Sequence, residues 1–71
     1  MTVTLGHRLR SRRVRAKLNE TELAYLIGYD QSGSARIREY EAGRRTPSLP
    51  VLQRLAAALG TTVSQLLRGV M

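Results

Sequence analysis

Helix-starting and helix-stopping residues divide the stretch from Asn19 to Gly60 into short helical segments. Asn19-Glu20-Thr21-Glu22 has the form of a capping box: a polar cap accepts from the first turn, and a glutamate three residues on reaches back to the cap backbone. Gly28 ends that helix. Tyr29-Asp30-Gln31-Ser32-Gly33 is a run of turn-favouring residues, and Glu41-Ala42-Gly43-Arg44-Arg45 closes the next helix in a basic loop, with Gly43 suited to a left-handed C-terminal cap. Ser48 then caps an apolar helix that Gly60 terminates. Such spacing predicts two short helices joined by a turn, then a third helix.

The apolar pattern extends this layout to the whole chain. Leu5, Leu9, Val14 and Leu18 recur at roughly helical spacing, predicting a first helix from about Thr4 to Lys17 with these residues inward and Thr2 or Thr4 as its cap. In the second helix Leu23, Ala24 and Ile27 face the core. The third helix runs from about Ser34 to Glu41, with Ile37, Tyr40 and Glu41 on one face and Ser34, Ala35, Arg38 and Glu39 on the other. Leu49, Leu52, Leu55, Ala56 and Leu59 make the stripe of the fourth. Thr62-Val63-Ser64-Gln65 reads as a second capping box opening a short fifth helix with Leu66 and Leu67, ending before Gly69. No alternating β-branched run, internal repeat or linker interrupts the pattern. The fold class is therefore all-α, a five-helix bundle forming one domain over residues 1–71 with its core at about 5–69.

Composition narrows the function. With 71 residues the chain is near the small end of what folds unaided, so its core comes from efficient helix packing or partly from a partner chain. Cysteine is absent and His7 is the only histidine, which leaves no disulfide framework and no evident metal site. His7 reads as an ordinary surface residue. Twelve basic residues against five acidic ones give a net charge of +7, which draws the domain to polyanions. A solvated basic surface or anionic lipid would account for the same charge, but the basic residues sit at helix ends and loops rather than along a membrane-lying helix. Tyr25, Tyr29 and Tyr40 are the only aromatics, too few for a base-stacking RNA or single-strand platform. No apolar run is long enough to span a bilayer, and the early arginines are not followed by a signal-peptide core. The expectation is a cytoplasmic or nucleoid-associated protein of bacterial or phage origin. No nucleophile, base and acid arrangement, phosphate-binding glycine loop or metal spacing supports catalysis, so neither an enzyme, a cofactor nor a small-molecule ligand is indicated.

Read in order, several segments resemble the lambda-repressor-like family, the Cro or Xre type of helix-turn-helix regulator. They are Leu5-Gly6 and Arg13, Leu18-Asn19-Glu20-Thr21-Glu22-Leu23-Ala24, Glu41-Ala42-Gly43-Arg44-Arg45-Thr46-Pro47-Ser48-Leu49 and Leu55-Ala56-Ala57-Ala58-Leu59-Gly60. The resemblance spans about Leu5 to Gly69. It implies a dimeric, operator-binding transcription regulator without enzymatic activity, most simply a repressor, with helix three in the major groove of double-stranded DNA at a pseudo-palindromic site. A protein-holding module of the antitoxin type is the alternative. The chain departs from the family in two places: the turn over residues 29–33 is longer than usual, and Glu20 stands where a glutamine usually donates to a DNA phosphate.

On the family's geometry Ser34, Ala35, Arg38 and Glu39 would read base edges, with Arg38 the strongest candidate, since arginine can bridge guanine O6 and N7. Arg36 at the rim and Arg44, Arg45 and Thr46 in the following loop would meet the DNA backbone. Arg8, Arg10, Arg12 and Arg15 are spread around helix one, so one or two at most would reach DNA. Tyr25 and Tyr29 flank the turn, where they either bond phosphate or pack beneath it. The family pattern also places Arg13 and Glu41 inward as an ion pair. Finally, the apolar cluster Val63, Leu66, Leu67, Val70 and Met71 on the terminal helix and tail is the expected homodimer interface, unless Leu66 and Leu67 close the bundle over helix one.

Overall fold

Thr4, Asn19, Ser48 and Thr62, the cap residues found in the sequence, each cap a helix with their side chains in the structure. The computed structural model describes residues 4–30 and 33–68 and holds five helices: α1 (Leu5–Arg15), α2 (Glu20–Leu26), α3 (Gly33–Glu41), α4 (Leu49–Ala58) and α5 (Val63–Leu67). Among the described residues there is no strand. Thr4 accepts from the His7 amide at 3.1 Å, making it the cap of α1, while Thr2 lies outside the described residues. The capping box of α2 is complete: Asn19 accepts from the Glu22 amide at 2.7 Å and Glu22 from the Asn19 amide at 2.9 Å. Thr62 accepts from the Gln65 amide, but Gln65 does not close a second box; its Oε1 accepts instead from Thr61 Oγ1 at 2.7 Å and from Arg12 at 3.4 Å.

Leu9, Leu23, Ile37, Leu55 and Leu66 are the largest fully buried side chains around which the helices pack, joined by Ala24, Ile27, Tyr40, Leu52, Ala56 and Leu59. Two residues expected in this core are outside it. Val14 is 58% exposed, because it lies five positions after Leu9 and is thus rotated by about 140° from it; Arg13, four positions on, takes the inward place. Leu49 is 59% exposed at the first turn of α4, about 120° around the helix from Leu55, and Val51 packs on the core instead.

Two helix boundaries also differ from the sequence reading. Helix α1 stops at Arg15, because Lys17 adopts a left-handed conformation, φ 61°, and the Leu18 amide reaches back to the Arg13 carbonyl at 3.2 Å. This is the closing geometry usually built with glycine. At α3, Gly33 is the first helical residue rather than the last of the turn. A Cβ there would strike that of Tyr29 and come within 3.1 Å of that of Ala24, so only glycine lets α3 start this close to α2. A similar approach seats α1 on α3, where a Cβ at Gly6 would meet the Tyr40 carbonyl oxygen at 2.6 Å.

Helix α5, five residues long, is too short to stand alone and is held by α1. Leu66 is fully buried, and Arg8 donates from Nη1 to the Gln65 carbonyl at 3.0 Å and from Nη2 to the Arg68 carbonyl at 2.7 Å. A guanidinium thus satisfies carbonyls at a helix C-terminus, where the backbone dipole favours positive charge. The expectation that Leu66 lines a dimer interface is corrected: its side chain closes the bundle. Val63 is partly buried against the same core, Leu67 is 42% exposed, and Val70 and Met71 lie outside the described residues.

Candidate nucleic-acid interface

Ile37 and Tyr40 face the core and Gly33 lies against α2, so the opposite face of α3 is fixed in direction by packing. That face carries Ala35 and Arg38, both exposed, with Ser34 and Glu39 half-exposed beside them. All four candidate base-reading residues are accessible on one helix. Beyond Glu41 the chain turns at Gly43, φ 78°, and the Arg44 amide bonds the Glu39 carbonyl at 3.0 Å. The turn folds the basic loop back toward α3, leaving Arg44, Arg45 and Thr46 exposed, with Arg45 Nε 3.6 Å from Glu39 Oε2. Arg10 of α1 joins Glu20, Ala35, Arg38, Ala42 and Arg44 around an open groove of about 580 Å³.

Glu41 also lines the groove, and it is paired with Arg13. Arg13 Nε donates to Glu41 Oε2 at 2.7 Å and Nη2 to Oε1 at 3.0 Å, while Nη1 bonds the Leu18 carbonyl at 3.0 Å. The two side chains are only 11% and 8% exposed. The guanidinium sits above its ordinary value chiefly because it hydrogen-bonds Glu41, an effect that burial opposes. Such a two-pronged, charge-assisted contact ties α1 to the end of α3, and so fixes where the basic loop begins.

Acidic residues on this face are engaged in turn. Glu20 Oε2 accepts from Arg38 Nη1 at 3.2 Å across α2 and α3, and Glu20 Oε1 lies 3.9 Å from Arg13 Nη2. Glu39 lies between Arg36, at 3.8 Å, and Arg45. At the far end of α3 the Arg36 guanidinium sits over the Tyr29 ring, 5.9 Å from its centroid. The Tyr29 and Tyr40 hydroxyls are 3.2 Å apart, and the hydrogen bond to Tyr40 is the main reason Arg36 is raised above its ordinary value. Tyr29 therefore packs against the core, whereas Tyr25 is 78% exposed.

Residues 4–68 match the family model described as a helix-turn-helix domain. The chain belongs to that family. This helix-turn-helix domain has the lambda-repressor-like fold: it is similar to the P22 c2 repressor in complex with a synthetic operator, at 28% identity and TM-score 0.86, covering 96% of this chain and 98% of that one. The restriction-modification controller protein C.AhdI from Aeromonas hydrophila is 35% identical, with TM-score 0.77 and coverage of 87% and 89%. Hydroxypropylphosphonic acid epoxidase from S. wedmorenis contains a similar part, 31% identical with TM-score 0.67, but only 31% of that chain is covered. No curated protein matches the sequence. Among the described residues of the domain, no helix is long and apolar enough to cross a membrane and no acidic or histidine cluster could hold a metal ion.

Three features of the domain were not visible in the sequence. Arg8 and Arg12 are engaged with α5, so of the α1 arginines it is Arg10 that joins the groove. Glu20 pairs with Arg38, eighteen residues away, and Tyr29 with Tyr40, eleven away. Separations of this kind leave no periodic signal; an acid at the start of α2 facing the middle of α3 becomes evident only once the two helices are docked.

Proposed function

We propose that this domain binds double-stranded DNA in a sequence-specific way as a small transcription regulator, most simply a repressor, with α3 in the major groove. The observation that carries this reading is the exposed face of α3, anchored by Ile37 and Tyr40 and bordered by Arg10, Arg38 and Arg44, on a chain of net charge +7. Arg38 reads base edges together with Ser34, Ala35 and Glu39. Arg44, Arg45 and Thr46 meet phosphates, as does Arg36, which lies beside Tyr29. The similarity to the P22 c2 repressor in complex with a synthetic operator supports the reading. Two copies on a pseudo-palindromic site would space their recognition helices by about 34 Å, one turn of DNA. With Leu66 committed to the core, Leu67 and the partly buried Val63 are the described residues of the terminal cluster left to serve such a pairing.

Selection of duplexes from a random pool, followed by titration of variants, tests the assignment. Arg38→Ala should lose about 1 to 3 kcal/mol on the selected duplex and little on random sequence. Arg45→Ala should weaken both and make the salt dependence shallower by about one unit. Equal losses on both duplexes for Arg38→Ala would reduce Arg38 to a phosphate contact. Failure of the pool to converge would remove sequence-specific recognition altogether.

A further inference from the structure

Three arginines of α1 have no part in the α3 groove. Arg8, Arg12 and Arg15 fall within about 60° of one another around the helix, in a row about 10 Å long, and lie about 140° to 160° around it from Arg10, which lines that groove. With His7 and Ser11 they line a separate cleft of about 280 Å³. Among the described residues no acid lines it: all five acids of the chain lie between residues 20 and 41, in α2, α3 and the turn joining them. Packing holds two of the three arginines in place, since Arg8 donates to the Gln65 and Arg68 carbonyls and Arg12 to Gln65 Oε1. From this row we infer that the domain has a second polyanion site on the flank formed by α1 and α5, which takes the phosphate backbone of a second DNA duplex while α3 holds the first.

The contacts to α5 do not compete with such a ligand. A guanidinium carries more N–H donors than Arg8 and Arg12 use on α5, and the rest reach phosphate oxygens with every existing bond kept. Already held in one geometry, these side chains lose little further freedom when a phosphate docks, and the planar fork of arginine suits phosphate recognition. Over about 10 Å one DNA strand carries about three phosphates, one for each arginine. An anionic membrane fits the row less well. A membrane-lying helix needs an apolar face beside its basic one, whereas Leu5 and Leu9 are turned into the core and Val14 lies about 100° to 160° around α1 from the arginines. The domain extends 34 × 23 × 22 Å, while physiological salt screens charges over about 8 Å, so the flank adds little to the hold on the first duplex.

This inference rests on the DNA-binding reading for the first duplex only, and its test is a bridging assay. A duplex selected by the wild-type protein is immobilised and saturated with protein, and capture of a second, labelled duplex of random sequence is measured across a range of salt. Wild type should capture the label, and Arg12→Ala/Arg15→Ala should capture at least about tenfold less at about 0.1 M salt, with a salt dependence shallower by about two units. The affinity of that variant for the selected duplex should stay within about twofold of wild type. Arg12→Lys/Arg15→Lys keeps the charge and should restore most of the capture. Arg8 is left in place because it anchors α5, and thermal melting shows whether α5 stays docked in each variant. Should Arg12→Ala loosen it, Arg15→Ala alone reads the site through a loss of about one unit of salt dependence. No capture by wild type would overturn the inference, and so would capture undiminished in the alanine variants, which would place the bridge between two α3 faces. Recruitment of phosphatidylserine vesicles that the labelled duplex cannot displace would overturn it in favour of a lipid surface. If the wild-type protein selects no duplex, the α3 reading fails by itself, and titration of random duplex with the same variants still decides the flank by the two-unit difference in salt dependence.

Discussion

Removal of Glu41 or Arg13 separately, then together, tests how the buried pair supports the interface. In Glu41→Leu the guanidinium keeps only the Leu18 carbonyl and a distant Glu20, having lost both short contacts to the carboxylate. In Arg13→Met a carboxylate 8% exposed is stranded without its guanidinium. Stranding one partner of a buried pair costs about 3 to 5 kcal/mol. A domain of 71 residues holds about 4 to 11 kcal/mol in total, so each single variant should lose a large fraction of its stability. The corresponding fall in Tm is about 12 to 40 °C. The double variant Arg13→Met/Glu41→Leu should regain most of the loss, because well-packed apolar residues commonly replace a buried pair at little cost. Arg13→Met should further be relieved by acid, since protonation removes the stranded charge. Circular dichroism melts over a pH series measure all of this. Single variants that melt like wild type, or a double variant no better than the worse single, would refute the view that the pair is buried and mutually dependent.

Gly33→Ala should destabilise the fold by about 1 to 3 kcal/mol in urea titration, since its Cβ would press on Tyr29 and Ala24 and push α3 from α2. Lys17→Gly should stabilise by about 0.5 to 1 kcal/mol, because the left-handed conformation at φ 61° penalises lysine by more than glycine's added chain entropy. Burial, with the bond to Tyr29, raises the Tyr40 phenol above its ordinary value of 10.0. The folded state therefore holds that proton more tightly, and the resulting stability is complete below the unfolded value and lost as pH rises through the folded one. Alkaline unfolding followed through phenolate absorbance should lose this component in Tyr40→Phe.

The helices of this chain were legible because their causes are local. A cap such as Asn19 or Ser48 acts three residues ahead, a stripe such as Leu52, Leu55, Ala56 and Leu59 repeats every three or four, and Gly43 and Gly60 stop helices by conformations that glycine adopts freely. The exposed face of α3 followed from the same periodicity once Ile37 and Tyr40 were set inward. Tertiary structure decided what local rules leave open. Lysine carries no signal for the left-handed turn at Lys17; the reversal is set by where α1 must end for α2 to dock. Apolar character alone put Val14 and Leu49 in the core, whereas helix rotation put Arg13 and Val51 there. Leu66 was equally suited to an interface or an interior until α5 packed on α1, with Arg8 closing its end. Glu20 and Arg38 met for the same reason: Gly33 allows α3 to lie close against α2, and such proximity is a property of the packed helices rather than of either segment.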